Sequence, residues 1–245
     1  MLLHQTLEKL TQMRLFGMLS AFKEQLENPQ YHDLPFDERF GLIVDREFLR
    51  RENQRLHNRL KESRVKMAAE SEDVDFQTPR GLQKSFFLEM SGCNWLAQKH
   101  NLIITGPTGI GKTYLASALA RKACREGYRS VYYHFPNLIT EISIAKADGS
   151  YPSLVARLAK RHLLVIDDWL RDPLQPDQSR LLLDLIDDRF RQRSTLLTSQ
   201  LPIAAWHEQF QDATVADAIL DRIVYDSYRL ELEGGSMRKI TSPLT

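Results

Sequence analysis

The chain has 245 residues, of which 42% are hydrophobic and 27% charged, and its formal net charge is +1. That is an ordinary balance for a soluble globular protein, in one large domain or a core of about 170 residues with a small appendage. No apolar run approaches the roughly 18 residues a membrane span needs, and the start, Met1-Leu-Leu-His-Gln-Thr, lacks the basic region and continuous apolar core of a secretion signal. Cys93 and Cys124 have no metal-ligand spacing, which argues against zinc or a disulfide framework and suits a reducing cytoplasm.

In chain order, residues 3–27 read as one amphipathic helix, with Leu3, Leu7, Leu10, Leu15, Met18, Phe22 and Leu26 three to five apart. Asn28-Pro29 ends it. A second helix is predicted from Pro35-Phe36-Asp37-Glu38 through Ile43 and Phe48 into a basic segment, where Leu49, Leu56 and Leu60 continue the apolar stripe. Between Arg46 and Lys66, eight basic residues stand against three acids. The sign then reverses at Glu70, Glu72, Asp73 and Asp75, and residues 70–80, ending in Thr78-Pro79-Arg80-Gly81, read as a linker. The expected division is a helical domain over 1–75 and a second domain over 76–245. From about residue 82, helix and strand alternate. Helix 82–99 precedes strand 101–105; helix 112–127 precedes strand 130–135. Helices 136–146 and 152–161 lead to strand 162–167, then helix 176–192 and strand 194–199, with helical patterns over 203–210 and 213–224. Short continuous apolar strands between helices predict an α/β domain with a parallel sheet covered on both faces.

Between the strand 101–105 and the helix 112–127 lies Gly106-Pro107-Thr108-Gly109-Ile110-Gly111-Lys112-Thr113. This is a complete phosphate-binding loop in the strand–loop–helix setting the pattern requires. Its glycines let successive backbone N–H groups turn toward an anion, and the following helix directs its positive end to the same place. Lys112 is predicted to reach the β/γ-phosphates of a nucleoside triphosphate, and Thr113 to ligate Mg²⁺.

A second signature is Leu163-Leu164-Val165-Ile166-Asp167-Asp168, a buried strand ending in adjacent carboxylates. A carboxylate there sits over the crevice where such sheets bind ligands. Asp167 is expected to hold the Mg²⁺ through water, and Asp168 to accept a proton from, or orient, the water attacking the γ-phosphate. A buried strand meeting a solvated turn would look the same by itself. The next strand ends Thr198-Ser199-Gln200, with Gln200 the first candidate and Thr198 the second to hold that water. Arg222 closes the run Asp217-Ala-Ile-Leu-Asp-Arg222. It reads either as a solvated helix charge or as a finger donated to a neighbouring subunit's γ-phosphate.

These motifs, with Leu-Leu-Val-Ile-Asp-Asp-Trp, Leu-Leu-Thr-Ser-Gln-Leu-Pro, Ala-Asp-Ala-Ile-Leu-Asp-Arg and the late Gly-Gly-Ser-Met-Arg-Lys, resemble the IstB family. These are transposition helper ATPases encoded beside the transposase in bacterial insertion sequences, AAA+ proteins similar to the helicase loader DnaC. The resemblance covers nearly the whole chain. It implies an AAA+ P-loop NTPase core preceded by a small all-helical domain, with ATP and Mg²⁺ as cofactors in a bacterial cytoplasm. It also implies an ATP-dependent homo-oligomer on duplex DNA that selects a target and stimulates the cognate transposase. In that frame Asp167 and Asp168 are the metal and water acids, Gln200 is the first sensor and Arg222 the intersubunit finger. Too little chain follows Arg222 for a helical lid; Arg238 is a candidate second sensor or a basic surface residue.

Arg50, Arg51, Arg55 and Arg59 on the basic helix are the leading candidates for phosphate contacts with DNA; a solvated face with glutamate pairing is the alternative. Arg157, Lys160 and Arg161, or Arg189, Arg191 and Arg193, are further candidates that the sequence leaves unranked. A DnaC-like helicase loader is the rival reading, and a small-molecule kinase a more distant one. A kinase has no need of paired acids and a polar strand end to place a water. GTP is disfavoured by the absence of an Asn-Lys-x-Asp tetrad.

Overall fold

The computed structural model describes residues 2–237. The chain divides into two compact units, Met1–Asn58 and Arg59–Thr245.

The first unit holds α1 (Leu2–Gln12), α2 (Phe16–Glu27) and most of α3 (Phe36–Glu62). The single helix expected over 3–27 is broken. Arg14 adopts φ +58, and the N–H of Leu15 bonds back to Leu10 O at 2.9 Å. The five-residue step from Leu10 to Leu15 marks the break, because a continuous helix keeps its stripe at three or four. The first turn of α2 has no cap of its own. Its Gly17 and Met18 N–H groups donate instead to the Glu47 carboxylate of α3, at 2.6 and 3.3 Å. The close approach needs a glycine: a Cβ on Gly17 would meet the Glu47 backbone at 2.7 Å. Glu47 is buried and also accepts from Arg50 at 2.8 Å and Arg51 at 2.7 Å. The Arg50 guanidinium first, then Arg51 and the two amides, hold its carboxyl down to about 2 against the opposing effect of burial.

The second unit is a five-stranded, wholly parallel sheet. Its strands are β1 (Asn101–Thr105), β2 (Ser130–His134), β3 (Leu163–Asp167), β4 (Ser194–Ser199) and β5 (Ser227–Glu231), in the order β2-β3-β4-β1-β5. One core packs α4 (Lys84–Ser91) and α6 (Lys112–Arg125) on Leu102, Ile104, Leu163, Val165 and Leu196. The other packs α7 (Phe135–Asp148), α8 (Tyr151–Ala159), α9 (Pro176–Arg189) and α10 (Ala213–Val224) on Ile103, Val131, Leu164, Ile166 and Leu197. Alternate strand residues thus feed opposite cores, which is why these strands are continuously apolar.

Three local expectations differ. Helix 82–99 is α4 and the short α5 (Asn94–Ala97), parted where Cys93 takes φ +59. The helical pattern over 203–210 forms two 3-10 turns, Ile203–Ala205 and His207–Gln209. β5 was not anticipated. Residues 59–80, expected to be in part a linker, pack on the sheet unit, with Ala69 and Val74 in its core and Arg59 Nε donating to Cys124 O at 2.8 Å. The N–H of Tyr132 donates to Ser63 O at 2.8 Å, and Glu70 pairs with Arg121 and Arg125. The compact units accordingly divide at 58/59, inside α3, rather than at 75/76. Among the described residues no helix is long and apolar enough to cross a membrane.

Candidate nucleotide site

The strand order decides which side chains meet. β4 lies between β1 and β3, so its carboxyl end separates the loop that follows β1 from the acids that end β3. Gly106 to Thr113 form that loop, tied to β4 by Gly106 N–H donating to Ser199 O at 3.2 Å. Gly111 stands at φ +104, where a side chain is strained, and a Cβ on it would strike the Arg80 guanidinium. Arg80 is buried and donates to Ile110 O at 2.9 Å and to Asp75 O at 2.8 Å, bracing the loop from below. On the outer side, Met237 N–H donates to Gly109 O at 2.9 Å, and a Cβ on Gly109 would strike the Ser236 hydroxyl. Ile110 is fully buried. Lys112 curls over the loop, its Nζ donating to Gly106 O at 2.5 Å and Pro107 O at 3.0 Å.

Asp167 is 3% exposed. Its hydrogen-bond donors among the described residues are three hydroxyls: Thr113 at 3.0–3.1 Å, Tyr132 at 2.5 Å, and Thr198. The Tyr132 phenol is held protonated well above its usual range, by burial first and then by the Asp167 charge. Asp168, in the left-handed region at φ +58, turns away from the strand and remains partly exposed. Asp tolerates that conformation better than most residues. Its Oδ1 accepts from Gln200 Nε2 at 3.3 Å, and Gln200 Oε1 accepts from Thr108 Oγ1 at 2.6 Å. A continuous polar chain therefore runs from the second acid to the phosphate loop. The two β4 candidates separate: Thr198 is buried, donating to Asp167 and accepting from the N–H of Asp168 at 3.1 Å, whereas Gln200 faces the loop.

Other candidates lie elsewhere. Arg222 sits at the amino end of β1, away from its own phosphate loop. Its carbonyl accepts from Asn101 Nδ2 at 3.2 Å, its side chain pairs with Asp187, and its guanidinium lies over Phe190. Arg50, Arg51 and Arg55 belong to the first unit, the first two bound to Glu47 and the third to Glu52. Arg59 is bound to Cys124 O. Arg189 is wholly buried, its guanidinium pushed down to about 9 by that burial, and it holds the carbonyls of Leu158, Arg161 and Ser194. Arg238 lies outside the described residues.

Sequence reasoning missed His134, whose Nε2 lies 3.1 Å from Asp168 Oδ2, and Tyr132 beside Asp167. The available signal was two polar-tipped residues two apart at the end of β2, hence on one face, with His134 in register with Asp167. It also missed Arg80.

A parallel sheet in this order, with a phosphate loop after β1 and an acid pair after β3, defines a P-loop ATP-binding protein of the AAA+ class. The chain belongs to the family described as IstB-like ATP binding protein, whose model matches residues 8–244. It is 41% identical over 239 residues to a chain of Sinorhizobium fredii named as an insertion sequence ATP-binding protein, covering 98% of each. It is 43% identical over 203 residues to the ATP-binding protein of insertion sequence IS1162 from Pseudomonas fluorescens, covering 82% of this chain and 88% of the relative. Among solved structures, the helicase loader DnaC superposes with TM-score 0.54 at 19% identity, over 67% of this chain and 96% of that one. AMPPCP-bound DnaA from Aquifex aeolicus superposes with TM-score 0.58 at 17% identity, over 71% of this chain and 53% of that one. Likeness at that level concerns the fold.

Proposed function

We propose that this chain hydrolyses ATP as an assembly switch, oligomerising on duplex DNA to choose a target and stimulate the transposase of its insertion sequence. The observation that carries the hydrolytic reading is the chain from Asp168 through Gln200 to Thr108. It ties a partly exposed carboxylate to the phosphate loop, where a base and a water-orienting amide are needed together. The Thr113 hydroxyl and the Asp167 carboxylate, about 3 Å apart, are hard oxygen donors of the kind Mg²⁺ takes alongside phosphates and water. Mg²⁺, when bound there, neutralises charge on the β/γ-phosphate oxygens. Lys112 then binds phosphate, Asp168 takes or directs the proton of the attacking water, and Gln200 fixes that water. Arg222, remote from its own loop, serves a neighbouring subunit, which makes hydrolysis depend on assembly. The DNA and transposase readings rest on membership in a family of insertion sequence proteins. The solved DnaA bound to AMPPCP and single-stranded DNA adds support for nucleic acid as a ligand of this fold.

Mixing tests the switch. Lys112→Ala should lose nucleotide binding; Arg222→Ala should bind ATP yet turn it over about a thousand-fold more slowly. Mixed together, they should regain turnover, because the first donates an arginine to the intact loop of the second. If Arg222→Ala assembles normally and no mixture recovers, the role in trans is wrong. Duplex binding and transposase stimulation should appear only with ATP; binding to a replicative helicase in place of the transposase would support the loader reading.

A further inference from the structure

At the amino ends of β2 and β3, on the opposite edge of the sheet from the phosphate loop, lies an open cleft of about 440 Å³. Arg129, Arg157, Lys160 and Arg161 line it, against one acid, Glu62. We propose that this cleft is where the ATPase unit grips the sugar–phosphate backbone of duplex DNA, a site that rests on the DNA-binding reading above and locates it.

The cleft is built rather than incidental. Arg161 is held in place by Glu62 at 2.6 Å, and Arg157 by Glu141 at 2.5 Å. Arg129 and Lys160 are exposed, and Arg129 adds its charge to that of Arg161 in holding the Glu62 carboxyl below the usual range. Beneath them, the buried Arg189 donates to Leu158 O at 2.7 Å and to Arg161 O at 3.0 Å. That interaction fixes the turn from α8 into β3 that carries Lys160 and Arg161. It also satisfies a carbonyl at the end of α8, where the negative end of the helix dipole would otherwise repel an anion. The positive field is visible at the neighbouring His162, whose pKa is lowered by burial first and then by Arg193, Arg129 and Arg189. The His162 Nδ1 accepts the Arg129 N–H at 2.9 Å, so the ring anchors the backbone beside the cleft.

The remaining lining, Ser153 and Ala156, offers no aromatic face on which a base could stack and no fork of amides to read one. Cations spread around a wide, polar-walled cleft suit backbone phosphates and carry no sequence preference. The arginines of α3 fit less well, because Arg50 and Arg51 are committed to the buried Glu47.

The test is the salt dependence of duplex binding by the full chain with a non-hydrolysable ATP analogue, read by anisotropy of a labelled duplex. For Arg129→Gln with Lys160→Gln, the slope of log affinity against log salt should flatten by about two units, with affinity down about fifty-fold near 0.1 M salt. The charge-keeping pair Arg129→Lys with Lys160→Arg should retain the wild-type slope. Thermal midpoints of both pairs should match the wild type. Wild-type slope and affinity in the Gln pair would overturn the cleft and leave DNA binding standing. Equal loss in the charge-keeping pair would also overturn it, since shape rather than charge would then be at work. Loss of transposase binding with DNA binding intact would assign the cleft to an acidic protein surface. Failure of the wild type to bind any duplex at low salt would remove both the DNA-binding reading and the cleft.

Discussion

Two buried carboxylates, one in each unit, show opposite chemistry. Glu47 in the helical unit is surrounded by two guanidiniums and two backbone N–H groups. Asp167 in the sheet unit is buried as deeply, yet its donors among the described residues are the hydroxyls of Thr113, Thr198 and Tyr132, with no guanidinium or ammonium among them. Burying a charge is costly unless it is paired. Glu47 is paired by the protein itself and serves as a bolt between helices. Among the described residues Asp167 is hydrogen-bonded by hydroxyls rather than paired with a cation, the arrangement expected where positive charge arrives with a ligand. Burial alone does not separate structure from function; the sign of the neighbours does.

The largest expected effect concerns the acid beside Asp167. Asp168→Asn should leave ATP affinity near wild type while lowering turnover by about a thousand-fold, since it removes a group acting on the attacking water. A steady-state assay finding near-normal turnover would remove Asp168 from the reaction.

The two buried carboxylates themselves come next. Glu47→Gln should destabilise the helical unit by about 2 kcal/mol, because two guanidiniums lose their counter-charge and the first turn of α2 loses its acceptor. Asp167→Asn should cost little stability or add some, because it deletes a buried charge held, among the described residues, by neutral hydroxyls; its loss should fall on Mg²⁺-dependent nucleotide affinity. Urea unfolding followed by helix signal, beside nucleotide titrations with and without Mg²⁺, separates the two. Equal destabilisation by both variants would break the comparison.

The pH dependence follows from the same contrast. The Glu47 pKa is depressed in the fold to about 2, so its contribution is complete above the ordinary glutamate range and is lost as pH falls from about 4.5 toward 2. Acid titration of helix content should show that loss in the wild type and a flatter curve in Glu47→Gln.

The smallest effect is expected at His134. Removing one orienting hydrogen bond from Asp168 should lower turnover by up to about ten-fold in His134→Ala, with nucleotide affinity unchanged. A matching fall in affinity would show that His134 shapes the loop rather than the acid.

What was legible in the chain divides along physical lines. The phosphate loop, the acid pair and four of the five strands depend on local order and apolar runs, and sequence displays both. β5 escaped because it is an edge strand of mixed polarity, Ser-Tyr-Arg-Leu-Glu, with only Leu230 buried. Arg80 escaped because its partner, the Ile110 carbonyl, belongs to a backbone that no pattern announces. The basic helix was legible as charge, but not as the i,i+3 and i,i+4 pairing of Arg50 and Arg51 with Glu47. The helix break at Arg14 left a trace in the five-residue step from Leu10 to Leu15, whereas the one at Cys93 was hidden, because its left-handed backbone is not one its side chain advertises.

The sheet order has a consequence in time. β1 carries the phosphate loop, yet its only neighbours are β4 and β5, both made long after it. During synthesis the loop waits on the order of ten seconds with its strand unpaired, until β4 is made, and β5 completes the pairing later. A chain cut short before β5 would therefore keep β1 paired on one side only, with β4, and leave the strand that carries the phosphate loop at an open sheet edge.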